Sequence, residues 1–235
     1  MPTITSYGLE QEARVVPSLI AEYTERLQKR GVTDERFTQL LTKVTTMTTA
    51  RAAALGAVKG KKKLTISEAA ARKEVVSYMG VIRRAVRLVF PEGSPEREEF
   101  HIGETGSSST KIVLGYADDT VVAWIKYKNQ LVEKGALEDD YTNLVGAIAL
   151  LRSTDTTQEK AKSKDAPDAT AAFVAARNAV KEDLDDIENR VEMEFPKEPE
   201  VLARFREVKK LRYSPAPRGT EEPAPAPAQP ASTPA

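Results

Sequence analysis

The sequence contains no cysteine and only one histidine, His101. Without cysteine the chain has no disulfide, no thiolate nucleophile and no thiolate metal ligand, a composition that suits a reducing compartment. Glu98 and His101 have the Glu-x-x-His spacing of di-iron helical bundles, but that architecture needs the motif twice. We therefore predict no metal site, no cofactor and a cytoplasmic location.

Long apolar runs and an excess of charge of either sign are also missing. No window approaches the roughly 20 apolar residues that a membrane-spanning helix requires, and the first residues lack the pattern of a secretory signal. The 35 basic and 35 acidic side chains cancel, so no overall field directs the chain to nucleic acid or to an anionic membrane. We expect no membrane association, and any binding of nucleic acid would have to be local.

Recognisable catalytic motifs are absent as well. The segment GETGSSSTK, residues 103–111, lacks the Gly-Lys-Ser/Thr ending of a phosphate-binding loop and follows no predicted strand. No nucleophile motif accompanies His101. The sequence therefore predicts a protein that is not an enzyme.

Two parts of the sequence resemble each other. Residues 26–41 align without gaps on residues 130–145 at an offset of 104, and an offset of 105 later pairs Phe90-Pro91 with Phe195-Pro196. A change of one residue in the offset is what a small insertion in a loop would leave. The alignment predicts a tandem duplication with a first copy at 1–102 and a second copy at 111–212.

Apolar residues recur at spacings of three and four in both copies, and no stretch alternates long enough to indicate a strand. This pattern predicts an all-α fold with three helices per copy, forming either two packed three-helix bundles or one six-helix bundle with pseudo-twofold symmetry. Each copy is expected to end in a short hook that folds a second phenylalanine, Phe100 or Phe205, back onto the bundle. Residues 103–110 are predicted to be a linker, and the Pro/Ala-rich residues 213–235 a disordered tail.

Lysine-rich stretches precede the predicted third helix of both copies, and we interpret them as loops. Thr65 and Glu68 then have the spacing of a capping box that would begin the third helix of the first copy. Side by side, the two loops could form a basic edge for phosphate or for an acidic protein surface. Alternatively, the lysines only solvate exposed loops. The lysines concerned are Lys59, Lys61, Lys62, Lys63, Lys160, Lys162 and Lys164.

Arg72 and Arg177 occupy matching places on an alanine-rich helix face. Each could pair with a carboxylate or a helix C-terminus inside the bundle, or contribute to a ligand site.

The copies also differ in charge. Residues 1–105 carry 17 basic and 13 acidic side chains, whereas residues 106–212 carry 17 and 20. Copies of opposite sign could attract each other within one chain or between chains, or the difference could reflect drift on solvated faces.

These observations favour a non-enzymatic helical interaction or scaffold protein that binds a protein partner, with self-association as a further possibility. The alternative is a phosphate-binding or nucleic-acid-binding module that uses the lysine-rich segments. A third hypothesis is an enzyme with a pocket between the copies, built from Arg72, Arg177 and neighbouring carboxylates.

Overall fold

The fold was analysed in a computed structural model that describes residues 3–104 and 109–215. The described residues are almost entirely helical and include no strand, so the predicted all-α fold is confirmed. None of the helices among them combines the length and the apolar character needed to cross a membrane. The eight α-helices are α1 (Ser6–Ile20), α2 (Thr24–Gln28), α3 (Asp34–Val89), α4 (Pro95–Glu99), α5 (Thr110–Glu133), α6 (Glu138–Lys160), α7 (Ala166–Glu194) and α8 (Pro199–Lys209).

The long helix α3 corrects one prediction. The second and third helices expected in the first copy are a single helix of 56 residues, and the expected lysine loop between them is helical. The chain remains helical there because lysine is a good helix former and one glycine costs only about 1 kcal/mol. Thr65 lies inside α3, where its hydroxyl donates to the Lys61 carbonyl at 3.1 Å, so it does not cap a helix.

The chain is also helical between the second and third helices predicted for residues 111–212. A five-residue π-helical segment, Ala161–Asp165, joins α6 directly to α7. It lies in the interval where the alignment offset changes from 104 to 105. A π turn holds one more residue than an α turn, so the extra residue can be accommodated without leaving the helix.

The chain forms two compact units. The discontinuous unit contains the described residues of 1–59 and 164–235, and the continuous unit contains those of 60–163. Each unit therefore draws its helices from both copies expected from the sequence. Of the predicted linker and tail, residues 105–108 and 216–235 lie outside the described residues.

Each unit has its own apolar core. In the discontinuous unit, α1, α2 and the first part of α3 pack with α7 and α8. In the continuous unit, the remainder of α3 packs with α4, α5 and α6. Phe205 is buried in the first core and Phe100 in the second. Central side chains of the first core are Leu9, Leu27, Leu40, Met47, Val180, Leu184 and Ile187, and those of the second are Val75, Ile82, Val86, Val113, Leu131, Leu144 and Leu151.

Two aromatic contacts, one in each unit, have nearly the same geometry. Tyr23 meets Phe195 edge-on at 5.1 Å between ring centroids and 65° between planes. Tyr127 meets Phe90 at 5.0 Å and 70°. The sequence alignment matches Tyr23 with Tyr127 and Phe195 with Phe90. In each unit the tyrosine comes from one of the two aligned sequence segments and the phenylalanine from the other.

The turns that precede α3 and α6 are also alike. Gly31 and Gly135 have φ values of +77° and +92°, in the left-handed region that glycine adopts without strain. The amides of Val32 and Ala136, the residues that follow, donate to carbonyls of the preceding helix at 3.0 Å. Both turns close a helix by the same left-handed cap.

Candidate functional site

The predicted lysines lie on helices and are divided between the two units. Lys59 and Lys164 belong to the discontinuous unit, and the other five belong to the continuous unit. Within the continuous unit the Gln158 amide donates to the Thr65 hydroxyl at 2.9 Å, which places α6 beside α3. Lys61 lies about one helical turn before Thr65 in the sequence, and Lys162 about one turn after Gln158.

Arg72 lies in the continuous unit beside an open cleft of about 360 Å³, here called the polar cleft. Its Nη1 donates to the Thr110 hydroxyl at 3.3 Å, and that hydroxyl donates to the Glu68 carboxylate. Glu68 and Thr110 are each only 8% exposed. The cleft does not include Arg177, which is half-buried on α7 in the other unit.

Gln158 forms part of the lining of the polar cleft and is 2% exposed. Its Oε1 is buried and accepts no hydrogen bond from the described residues. An unpaired buried acceptor costs about 1–3 kcal/mol. At an offset of 104 Gln158 corresponds to Ala54, and at an offset of 105 Glu68 corresponds to Phe173; both Ala54 and Phe173 are buried in an apolar core.

The charges around the polar cleft are mixed. Besides Arg72 and Glu68, its lining includes Lys111, Asp155, Glu159 and Lys162, and Lys162 pairs with Glu159 at 3.1 Å. Positive and negative side chains are therefore present in similar number, which is unfavourable for a site that attracts a simple anion.

An apolar stripe on the outer side of α5 was not predicted from the sequence. Val122, Ile125 and Val132, here called the α5 face, are 68%, 66% and 44% exposed. Spacings of three and seven place them on one side of the helix. The matched residues of the first copy are Ser18, Ala21 and Gln28, all exposed on or next to α1 and α2.

A second cleft, of about 260 Å³, adjoins the α5 face at Val122 and is here called the histidine cleft. Its other lining residues are Glu98, Glu99, His101, Asp119 and Ala123. These residues include no serine, threonine or cysteine, so the cleft presents carboxylates and an imidazole without a hydroxyl or thiol nucleophile. Among the described residues, no group of three or more histidine, aspartate or glutamate side chains is placed to hold a metal ion.

His101 is held from several sides. Its Nε2 lies 2.8 Å from Asp119 Oδ2, its Nδ1 lies 3.3 Å from Glu104 Oε1, and its ring stacks on Tyr116 at 4.1 Å. The backbone at His101 has φ +52°, which is uncommon for a residue other than glycine. Hydrogen bonds from Tyr116 and His101 lower the pKa of Glu104, and Glu104 in turn raises the pKa of Tyr116. These contacts fix the imidazole at the end of the cleft.

The sequence alone contained a partial signal for the α5 face. The sequence alignment pairs Val122, Ile125 and Val132 with two polar residues and an alanine, a difference that is not expected at core positions. The periodicity of α5 could not separate them from its buried residues, because apolar side chains occur on more than one side of this helix. No family model, curated protein or solved structure matches the chain.

Proposed function

We propose that the chain is a tandem duplication whose copies exchange their helices, so that each compact unit is built from both copies. Three matched features support this: the left-handed caps at Gly31 and Gly135, the edge-on aromatic pairs, and the burial of matched core residues. The π segment supports it too, because it accommodates the single extra residue of the second copy. With this correspondence, a residue of one unit has a matched residue in the other unit that can serve as its control.

We further propose that the protein is a non-enzymatic, helical protein-binding module and that its partner docks on the α5 face. The observation that carries the proposal is the exposure of Val122 and Ile125, at 68% and 66%. Burial of apolar surface on binding is favourable by about 25 cal/mol per Å². The first copy has Ser18 and Ala21 at the matched positions, so the exposed apolar side chains serve no requirement of the fold.

The partner that best fits this surface is an amphipathic helix with basic residues beside its apolar side. The histidine cleft, directly next to Val122, contributes the carboxylates of Glu98, Glu99 and Asp119. Glu98 makes no ion pair with the rest of the described chain, so its charge is available to a basic partner. A helix laid along α5 would bury the apolar stripe and bring a basic side chain to Glu98.

The experiment places a photo-activated cross-linking amino acid at position 125 of the tagged full-length chain in its native cells. We expect one protein to be captured, and the site of cross-linking to fall in a basic amphipathic helix of that protein. The matched control carries the same amino acid at position 21, where no capture is expected. Capture of another molecule of this chain, of nucleic acid, or equal capture at both positions would contradict the proposal.

A variant test accompanies the cross-linking. V122S/I125A gives α5 the side chains that the first copy already carries, so we expect the melting temperature to change by less than about 2 °C, as for other surface substitutions. Recovery of the partner should fall at least tenfold. Retained recovery with unchanged stability would exclude the α5 face as the docking surface.

The phosphate or nucleic-acid hypothesis has its own support in the continuous unit, where Lys61 and Lys162 lie on adjacent helices. Such binding would weaken steeply with salt, because cations on the protein release counterions from phosphates. Replacing Lys61, Lys62, Lys63, Lys160, Lys162 and Lys164 with glutamine should then abolish it. Unchanged binding in that variant would eliminate the hypothesis.

A further inference from the structure

One exposed ion pair of the discontinuous unit joins the first copy to the hook of the second. The Arg204 guanidinium donates to Glu22 through both terminal nitrogens, with one distance of 2.7 Å. The same guanidinium donates to the Tyr23 hydroxyl at 3.1 Å. Arg204 is on α8, and Glu22 lies just after α1.

An equivalent ion pair occurs in the continuous unit with its charges reversed. Lys126 on α5 donates to Glu99 on α4 at 2.8 Å, and the Tyr127 hydroxyl donates to the same carboxylate at 3.1 Å. The alignment matches Glu22 with Lys126 and Arg204 with Glu99. The two units thus keep the position of the pair and its adjacent tyrosine, but the acid and the base have changed places.

We propose that these two ion pairs are a recognition code by which each copy selects the other copy and not itself. The inference goes beyond partner binding and rests on the duplication proposed above. If each copy closed on its own hook, Glu22 would face Glu99, and Lys126 would face Arg204. Both contacts would then join like charges, whereas exchange between the copies makes both of them attractive.

Apolar packing by itself cannot make this selection. The edge-on tyrosine and phenylalanine pairs have the same residue types in both units, so either tyrosine could pack on either phenylalanine. Side chains that differ between the copies can add to the distinction that the continuous helix α3 already makes. Charged pairs at the edge of a contact set the partner through attraction to one surface and repulsion from another.

Arg26 adds to this selection in the discontinuous unit. It pairs with Glu194 at 3.1 Å and with Glu198 at 2.8 Å, and its guanidinium lies 4.2 Å from the Phe195 ring centroid. The first copy has Val89 and Gly93 where the second has Glu194 and Glu198. Closure of the first copy on itself would therefore leave Arg26 without either carboxylate.

The test uses the full chain with a protease recognition sequence in place of residues 105–108, cleaved after purification. We expect the two fragments to remain together as a one-to-one complex in native mass spectrometry and size-exclusion chromatography, with unchanged helical circular dichroism. Fragments that separate while each stays helical would show self-closure and overturn the proposal.

The charge code is tested by the variant E22K/K126E in the cleaved protein. It turns both pairs into like-charge contacts, so we expect fragment association to weaken about tenfold at low salt, consistent with two exposed pairs. The difference should vanish in about 1 M salt, where the Debye length is about 3 Å. E22K makes the basic first fragment more basic, and K126E makes the acidic second fragment more acidic. Long-range attraction between the fragments therefore increases, so weaker association can come only from the local contacts.

Two further variants complete the design. E22K/K126E/E99R/R204E restores opposite charges in both pairs and should recover the original affinity. E25K/K63E alters two exposed side chains that make no ion pair with the described chain, and should leave the affinity within about twofold, since isolated surface charges contribute little. Unchanged association of E22K/K126E, or failure of the fourfold variant to recover, would overturn the charge code.

Discussion

Arg212 is an almost fully buried arginine at the end of the described chain, with 2% of its side chain exposed. Its Nε donates to Glu12 and its Nη1 to Asp185. Burial raises the pKa of Glu12, although the contacts with Arg212 act in the opposite direction. The ion pair between Arg212 and Glu12 connects the segment after α8 to α1. Removing one partner of a buried pair leaves an uncompensated charge.

We predict that R212M lowers the free energy of unfolding by roughly 3 kcal/mol at pH 8 and by less at pH 5. Without Arg212 the pKa of Glu12 rises further above its ordinary value of 4.5. The folded state then retains a proton that the unfolded state has lost, so stability declines as pH rises toward the folded pKa. Urea denaturation at both pH values measures the effect.

The double variant E12Q/R212M is the control for this prediction. Glutamine at position 12 cannot titrate, so the extra loss of stability between pH 5 and pH 8 should disappear. If the single and double variants show the same pH dependence, Glu12 is not the group responsible.

Gln158 provides a second prediction at the scale of one residue. Replacing it with leucine removes the buried Oε1 that accepts no hydrogen bond, while Thr65 is exposed and can bond to water. We expect Q158L to raise the free energy of unfolding by about 1 kcal/mol. The control Q28L changes an exposed glutamine and should stay within about 0.5 kcal/mol of the parent. A loss of stability in Q158L would indicate that the amide is structurally required.

At the scale of the helix, Gly60 tests the continuity of α3. Apart from the glycine itself, its chain neighbours and the adjacent backbone of α3, no atom lies within 4 Å of the place where a Cβ would be added, and the residue is helical. G60A should therefore raise the free energy of unfolding by about 0.5–1 kcal/mol, the usual difference between alanine and glycine inside a helix. The measurement is denaturant unfolding followed by circular dichroism.

Gly135 is the matched control for that substitution. Its φ of +92° is unfavourable for alanine, so G135A should lower the free energy of unfolding by about 1 kcal/mol. A neutral G60A beside a destabilising G135A would indicate that residues around 60 are not held in a helix.

The lysine segment shows which part of the helices the sequence could predict. Composition alone, with one glycine among four lysines, is typical of a loop. The apolar and half-buried positions Val58, Lys61 and Leu64 nevertheless continue the helical spacing of the residues before and after them. A helical spacing that continues without a break favours one helix. The spacing is difficult to recognise in the sequence because a charged residue, Lys61, occupies one of the inward positions.

For the molecule as a whole, the sequence predicted the fold class, because it follows from the periodicity of the apolar residues. It did not predict which helices pack together. Apolar stripes of similar spacing can pack in more than one pairing, and helix propensity does not distinguish these arrangements. Under the proposed duplication, the opposite charges of Glu22 and Lys126 are a signal in the sequence, and it became interpretable only once their partners on α8 and α4 were known.

The candidate site was less accessible to sequence reasoning than the fold. Arg72 was identified and does lie at a cleft, but two of the buried residues near it, Thr110 and Gln158, come from α5 and α6, far along the chain. The α5 face depends on exposure, which requires knowing which sides of α5 are already covered. Tertiary packing determines both the neighbours of Arg72 and the exposure of the α5 face, and helical spacing determines neither.

The discontinuity of one unit has a consequence for synthesis on the ribosome. The continuous unit is complete once residue 163 has been translated, whereas Leu40 and Met47 on α3 wait for α7 and α8 to cover them. We expect a released chain that ends at residue 163 to resist a non-specific protease within residues 60–104 and 109–163 and to be cleaved within residues 3–59. A polypeptide released early would expose this uncovered apolar surface to cellular proteases. A prematurely terminated chain is therefore expected to be degraded.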